Sequence, residues 1–221
     1  MNKILIVLIF ILIIPIVNSW KDDTHMQFVE NVYHSMPFEL QNELNLSRMK
    51  EGSVAPDKYF KDFKMHHYPF SYNLAKKWLE NKTDISYSFG VAAHYTADSF
   101  VAAHNVAGEK YNDHEYFELQ ATWHISEIEC KDYGFKLDQL GIARKNAKDW
   151  YVWLKSKDKS IANNEVDEAM IFIYSIAINY FNYKCRDKTL ISYDNKFNNL
   201  KIIQASLIFL LGLPLLYFFK N

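Results

Sequence analysis

Apolar residues recur at three- and four-residue spacing through most of this 221-residue chain, and polar residues fill the positions between them. That period places the apolar side chains on one face of an α-helix. No stretch alternates apolar and polar residues beside a turn signal, so no hairpin is predicted. The fold class that follows is all-α, a single multi-helix domain. A helix is predicted over residues 23–35, with Asp23 and Thr24 able to cap it and Phe28, Val29, Val32 and Tyr33 on its apolar side. Pro37 opens a short second helix, and residues 52–56, bracketed by Gly52 and Pro56, read as a loop. A helix over 72–80 follows Pro69. Asp84 or Ser86 then starts a long helix through Val91, Tyr95 and Phe100, and Gly108 marks a break after it. Asp113 can cap the next helix, and two more are predicted over 137–155 and 165–183. Trp78, Trp123, Trp150 and Trp153 stand at core spacing within helices.

The two ends differ from this pattern. Lys3, an apolar run over 4–17 and the small residues Asn18 and Ser19 have the layout of an export signal. Cleavage after Ser19 makes Trp20 the new N-terminus, and an uncleaved anchor is the alternative. Residues 202–219 are nearly all Leu, Ile, Phe and Ala, about the minimum length for a bilayer span. The expected organisation is a signal over 1–19, a helical domain over 20–185, a polar linker over 186–201 and a transmembrane tail anchor over 202–219. The domain would then be exported and held outside at the cell surface. A formal net charge of −1 and the lack of any basic block disfavour nucleic acid as a partner without closing that option. The only cysteines, Cys130 and Cys185, are free to pair in an exported domain.

The eight histidines change the picture most. His94 and Asp98 stand four apart on the long helix, so they share a face one turn apart. His114 and Glu118 repeat the spacing on the next helix, and His104 lies between the pairs. Imidazole and carboxylate are both zinc ligands. One such pair is equally an ordinary helical ion pair, whereas two on adjacent helices with a third histidine between them point to metal. On an unbroken helix His94 and His104 would stand about 15 Å apart, too far to serve one ion. Upstream lie His25, Asp57 and the doublet His66-His67. His34 and His124 fit no motif and read as surface or hydrogen-bonded core histidines.

In order and spacing this set resembles the zinc-dependent phospholipase C family, whose fold is shared with single-strand nucleases of the S1/P1 type. The matching positions run from Trp20 through His25, Asp57, His66-His67-Tyr68, His94-Tyr-Thr-Ala-Asp98 and His104 to His114-Glu-Tyr-Phe-Glu118. The resemblance implies up to three zinc ions. One would be held by Asp57, His66, His94 and Asp98. A second would be held by His104, His114 and Glu118. The third would take the Trp20 terminal amine and carbonyl with His25, sharing Asp98 as a bridge. His66 fits the family pattern better than His67, and Asp57 takes the role of general base. The implied activity is phospholipase C-like hydrolysis of a phosphodiester on a phospholipid head group. An S1/P1-type nuclease and a non-catalytic zinc-binding surface protein are the alternatives. The loop from Asp57 to the next histidine is shorter than the family pattern, and no stretch of these residues resembles the lipid-binding β-domain of some toxin members.

Overall fold

A computed structural model describes residues 22–122, 124–129 and 147–183. The predicted signal and Trp20, both cysteines, Trp123, the linker and the tail all lie outside the described residues. The chain divides into two compact units, residues 1–190 and 191–221, and the second falls wholly outside the described residues.

Every regular element among the described residues is helical: α1 (Asp22–Ser35), α2 (Phe38–Glu43), α3 (Leu46–Ala55), α4 (Phe70–Glu80), α5 (Ile85–Phe100), α6 (Tyr111–Ala121), α7 (Ala147–Ser156) and α8 (Lys159–Tyr180). None of them is long and apolar enough to cross a membrane. A π-turn (Pro56–Phe60) follows α3, and 3-10 turns cover Phe63–Met65 and Ala102–Asn105.

Helix α5 is the axis of the fold. From Ser88 to Phe100 every one of its residues is buried, because α3, α4 and α8 pack around it. A helix covered on all sides can carry polar residues only where they find partners, and His94, Thr96, Asp98 and Ser99 all lie in its buried run. Asp84 caps its start by accepting a hydrogen bond from the Tyr87 amide at 3.0 Å. Helix α8 forms the second axis. The aromatic rings of Phe117 on α6 and Trp153 on α7 meet edge to face, with centroids 5.0 Å apart, a geometry that adds about 0.5–1.5 kcal/mol beyond area burial.

The expected loop over 52–56 is not one. Helix α3 runs straight through Gly52. A Cβ on Gly52 would stand 2.1 Å from the Tyr87 carbonyl oxygen, and one on Gly90 would stand 2.1 Å from the Met49 carbonyl oxygen. The two glycines let α3 and α5 cross with their backbones in contact. Gly52 is therefore a packing residue where its chemistry suggested a breaker. Three other boundaries also move. Helix α6 starts at Tyr111, ahead of Asp113, and α8 starts at Lys159 under an Asp158 cap, six residues before Glu165. Helix α4 starts at Phe70, immediately after Pro69.

The long helix also stops earlier than an unbroken reading to His104 requires. Val101 adopts an extended conformation (φ −66°, ψ 117°) and ends α5. The Asn105 side-chain amide donates to the Ser99 and Val101 carbonyls at 3.1 and 2.9 Å, satisfying acceptors that the helix end leaves free. The Ala102 amide donates to the Glu165 carboxyl at 3.0 Å. These bonds fold His104 back over the end of α5.

Candidate metal centre

The sequence-predicted ligands within the described residues converge. The centre of the cluster is Asp98, 1 % exposed. Its Oδ2 lies 2.8 Å from His66 Nδ1 and 3.1 Å from His94 Nε2. Its Oδ1 lies 3.5 Å from His25 Nε2 and 3.8 Å from His104 Nδ1. Asp57 Oδ1 is 3.7 Å from His66 Nδ1. Farther out, His114 Nε2 and His104 Nε2 approach Glu118 Oε1 at 2.9 and 3.7 Å. His104 thus stands beside both groups, although ten straight helical residues would have put it about 15 Å from His94. The turn at Val101 is the reason.

Local structure explains each position. His94 and Asp98 share one face of α5, and His114 and Glu118 share one face of α6. Asp57 sits on the π-turn after α3, which closes when the Lys61 amide donates to the Pro56 carbonyl at 2.8 Å and Lys61 takes a left-handed conformation (φ 53°). Such turns recur where a side chain must be aimed at a site. His66 follows the 3-10 turn Phe63–Met65 and is buried. His67 is one-third exposed and faces Glu109, 3.6 Å away, instead of Asp98. Trp20 lies outside the described residues.

Two residues that the sequence reading gave no role at the site stand behind His66. Asp62 Oδ1 lies 3.2 Å from His66 Nε2, and the Tyr95 hydroxyl donates to Asp62 Oδ2 at 2.6 Å. A signal for this existed, since Asp62 precedes His66 by the same four residues that separate His94 and Asp98. His94 is held likewise, its Nδ1 donating to the Ser53 carbonyl at 2.7 Å, and His104 Nδ1 points at the Asp98 carbonyl at 3.2 Å.

These back-side bonds test whether a metal fits. With Nδ1–H of His94 given to Ser53 and Nε2–H of His66 given to Asp62, the opposite nitrogens present lone pairs, a tautomer assignment that follows from the hydrogen-bond network. Those nitrogens, His94 Nε2 and His66 Nδ1, stand 3.4 Å apart and both face Asp98 Oδ2. With both rings neutral in those tautomers, three acceptors converge, and a bound cation is what satisfies such a set. Ligand atoms gather within 4.8 Å of one another in three groups: His66, His94 and Asp98; His104, His114 and Glu118; and His25, Asp57 and His94. The second has the same residues as one set implied by the family resemblance, the first has those of another without Asp57, and the third joins Asp57 to His25 by way of His94 in place of the implied pairing of His25 with Asp98.

Without a metal, a proton on His66 supplies the positive charge that this set of groups attracts. Burial would lower the His66 imidazole, but the hydrogen-bonded Asp98, with Asp57 and Asp62 beside it, raises it to about 9. The pocket therefore favours positive charge where the acceptors meet. Burial pushes the Asp57 carboxyl up to about 6. His25 and His104 are driven well below the usual range by burial, with His94 adding to the effect at His25, and both are held as neutral donors of a lone pair. Burial acts against the Asp98 carboxylate, yet His94 and His66 hold it ionised.

An all-helical scaffold with a buried histidine–carboxylate cluster is the arrangement of a metal-binding protein. The chain belongs to the zinc-dependent phospholipase C family, which it matches over residues 24–183. No curated protein and no solved structure matches it. Family membership and the clustered donors together make it a zinc-dependent hydrolase.

Proposed function

We propose that this protein is a phospholipase C-like phosphodiesterase that cleaves the head-group phosphodiester of a phospholipid. In this reading Asp57, His66, His94 and Asp98 hold one zinc and His104, His114 and Glu118 a second. A third rests on His25, Asp98 and the Trp20 terminus. The observation that carries the reading is the convergence of His66 Nδ1 and His94 Nε2 on Asp98 Oδ2, at 2.8 and 3.1 Å, in a chain of this family.

Bound zinc supplies Lewis acidity, making water acidic near pH 7 and neutralising phosphoryl charge. The chain's own residues do the rest. Asp98 presents one oxygen to each side of the cluster and fixes the spacing between its halves. Ser53 and Asp62 hold the imidazoles of His94 and His66 in the tautomers that face inward. Asp57, at the rim, takes the proton from the attacking water as general base. Burial pushes its carboxyl up to about 6 in the metal-free chain, which makes it a stronger base than an exposed carboxylate. The half-buried His114 and Glu118 leave the outer group accessible to a substrate. The reading also includes export through the apolar start, cleavage before Trp20, a domain over 20–185, and attachment of the exported domain to a membrane by residues 202–219.

The test uses the full chain with zinc and follows release of phosphorylated head group from phosphatidylcholine, alongside cleavage of single-stranded DNA. Head-group release that stops with a chelator and returns with zinc supports the reading. Zinc-dependent cleavage of DNA alone replaces it with the nuclease alternative. A zinc-loaded chain inert to both substrates points to the non-catalytic one.

A further inference from the structure

We propose that the loop from Lys58 to Met65 is a docking surface for an anionic phospholipid bilayer, placed so that docking brings head groups to the metal cluster. The proposal rests on the lipid-hydrolase reading above and adds how the site meets its substrate surface.

The loop is pinned at the cluster by its acidic side chains. Asp57, immediately before it, and His66, immediately after it, come within 3.7 Å of one another. Asp62, in its middle, reaches inward to His66 at 3.2 Å and accepts from the buried Tyr95 at 2.6 Å. What remains outside is Lys58, Tyr59, Phe60, Lys61, Lys64 and Met65, all exposed. With the flanking Asp57 and His66 side chains 3.7 Å apart, these exposed residues belong to one short loop anchored on both sides.

The sorting is chemical as well as geometric. Every acid in or beside the loop is engaged with His66, and every lysine of the loop is outside. Three lysines therefore stand on a surface with no carboxylate of the same loop beside them to neutralise them. Tyr59, Phe60 and Met65 are 56 %, 39 % and 42 % exposed. Phe60 is held there by stacking on Trp78, with ring centroids 5.7 Å apart and planes 6° from parallel. The Lys58 ammonium sits 5.5 Å from the centre of the Tyr59 ring. Large apolar groups kept at the surface among lysines suit an interface where ammonium groups meet lipid phosphates and the rings enter the acyl boundary. A nucleic-acid strand is served less well, because one face of Phe60 is already covered by Trp78 and Met65 offers no stacking plane.

The experiment uses the zinc-loaded full chain and two readouts. Hydrogen exchange of the backbone over 58–65 is followed with phosphatidylcholine vesicles, with vesicles also containing phosphatidylserine, and with single-stranded DNA. Hydrolysis is followed on vesicle lipid and on a soluble phosphodiester, bis(p-nitrophenyl) phosphate. The expected result is protection of 58–65 by the phosphatidylserine vesicles, weakened by added salt. The combined variant Lys58→Glu, Lys61→Glu, Lys64→Glu and the variant Phe60→Ser are each expected to lose that protection. Each should lower hydrolysis of vesicle lipid about tenfold, with zinc content and hydrolysis of the soluble diester unchanged. Unprotected loop amides in wild type overturn the proposal, and so do variants that hydrolyse vesicle lipid at the wild-type rate. Protection by DNA in place of vesicles also overturns it. A wild-type chain inactive on both substrates defeats the lipid-hydrolase reading, and the exchange readout still decides docking.

Discussion

The cluster has two halves of different construction. The inner half, His66, His94 and Asp98, is buried throughout, and the outer half, His104, His114 and Glu118, is half open. The inner half stands on the middle of α5, with Ser53 and Asp62 holding two of its rings from behind. The outer half is assembled from a 3-10 turn and one face of α6, with Glu118 itself closing on His114. Rigidity and closure belong to the inner half and access to the outer. A hydrolase needs both, since preorganised charge must be kept dry while a substrate oxygen still has to reach an open position.

Substituting the central residue has the largest expected effect. Asp98→Asn keeps shape but removes the charge that both sides share. Metal content by elemental analysis should fall by more than one zinc per chain, and hydrolysis should drop about a thousandfold or more. Glu118→Gln is its counterpart in the outer half and should lose one zinc only, leaving the inner one in place. Equal zinc losses from the two variants would mean that the halves do not differ as described.

Gly52→Ala tests the platform under the inner half. A methyl group 2.1 Å from the Tyr87 carbonyl cannot be housed without moving α3 away from α5, and the Ser53 carbonyl that holds His94 is on the neighbouring residue. Thermal unfolding should fall by about 10 °C, an overpacking cost of about 3 kcal/mol in a domain of this size. The outer half should keep its zinc in whatever fraction stays folded. An unchanged melting temperature would show that the helices do not cross as closely as described.

Asp62→Ala removes the bond behind His66 without touching a proposed ligand. Zinc affinity of the inner half, measured by competition with a chelator, should weaken about 10- to 100-fold, while that of the outer half is unchanged. Cobalt substitution adds a spectral readout, because a freed His66 ring alters the inner site's absorption alone. Tyr95→Phe acts one step farther back and should show the same selectivity with a smaller shift.

Much of this was legible in the residues. Helix α5 announces itself through its apolar period and Asp84, and ligand pairs four apart on helices need no tertiary information to be seen. What sequence could not show depends on contacts between elements. Gly52 breaks helices by intrinsic preference, and only the approach of Gly90 across the α3–α5 crossing turns it into a packing residue. His104 looked remote from His94 because no Gly or Pro ends the helix at Phe100. The stop is enforced by Asn105 folding back and by Glu165, more than sixty residues away. Asp62 carried the right spacing but lies outside a regular helix, where spacing alone says little. The role of Trp20 falls outside the described residues and stays an expectation drawn from family resemblance.

Glu165 supplies the smallest expected effect and reaches the outer half alone. Its side chain is 2 % exposed, and one carboxyl oxygen accepts from the Ala102 amide at 3.0 Å, at the start of the turn that carries His104. Burial raises its pKa well above the ordinary 4.5, and Asp149 and Glu168 add to the rise against the opposing Ala102 bond. A carboxyl that binds its proton more tightly when folded than when unfolded favours the folded state at low pH. That advantage is lost as pH climbs from the unfolded value through the folded one. The wild-type chain should therefore lose stability above about pH 4.5 through this group. Glu165→Gln retains an acceptor for the Ala102 amide but cannot ionise. Its melting temperature should match wild type near pH 4 and exceed it by a few degrees at pH 8, with zinc at His104, His114 and Glu118 retained. Glu165→Leu keeps the burial but removes the acceptor, so it should loosen the His104 turn and weaken outer zinc while leaving inner zinc untouched. A melting difference between Glu165→Gln and wild type that stays flat from pH 4 to 8 would show that Glu165 does not titrate as its burial requires. Equal loss of inner and outer zinc in Glu165→Leu would show that the turn at Val101 serves both halves.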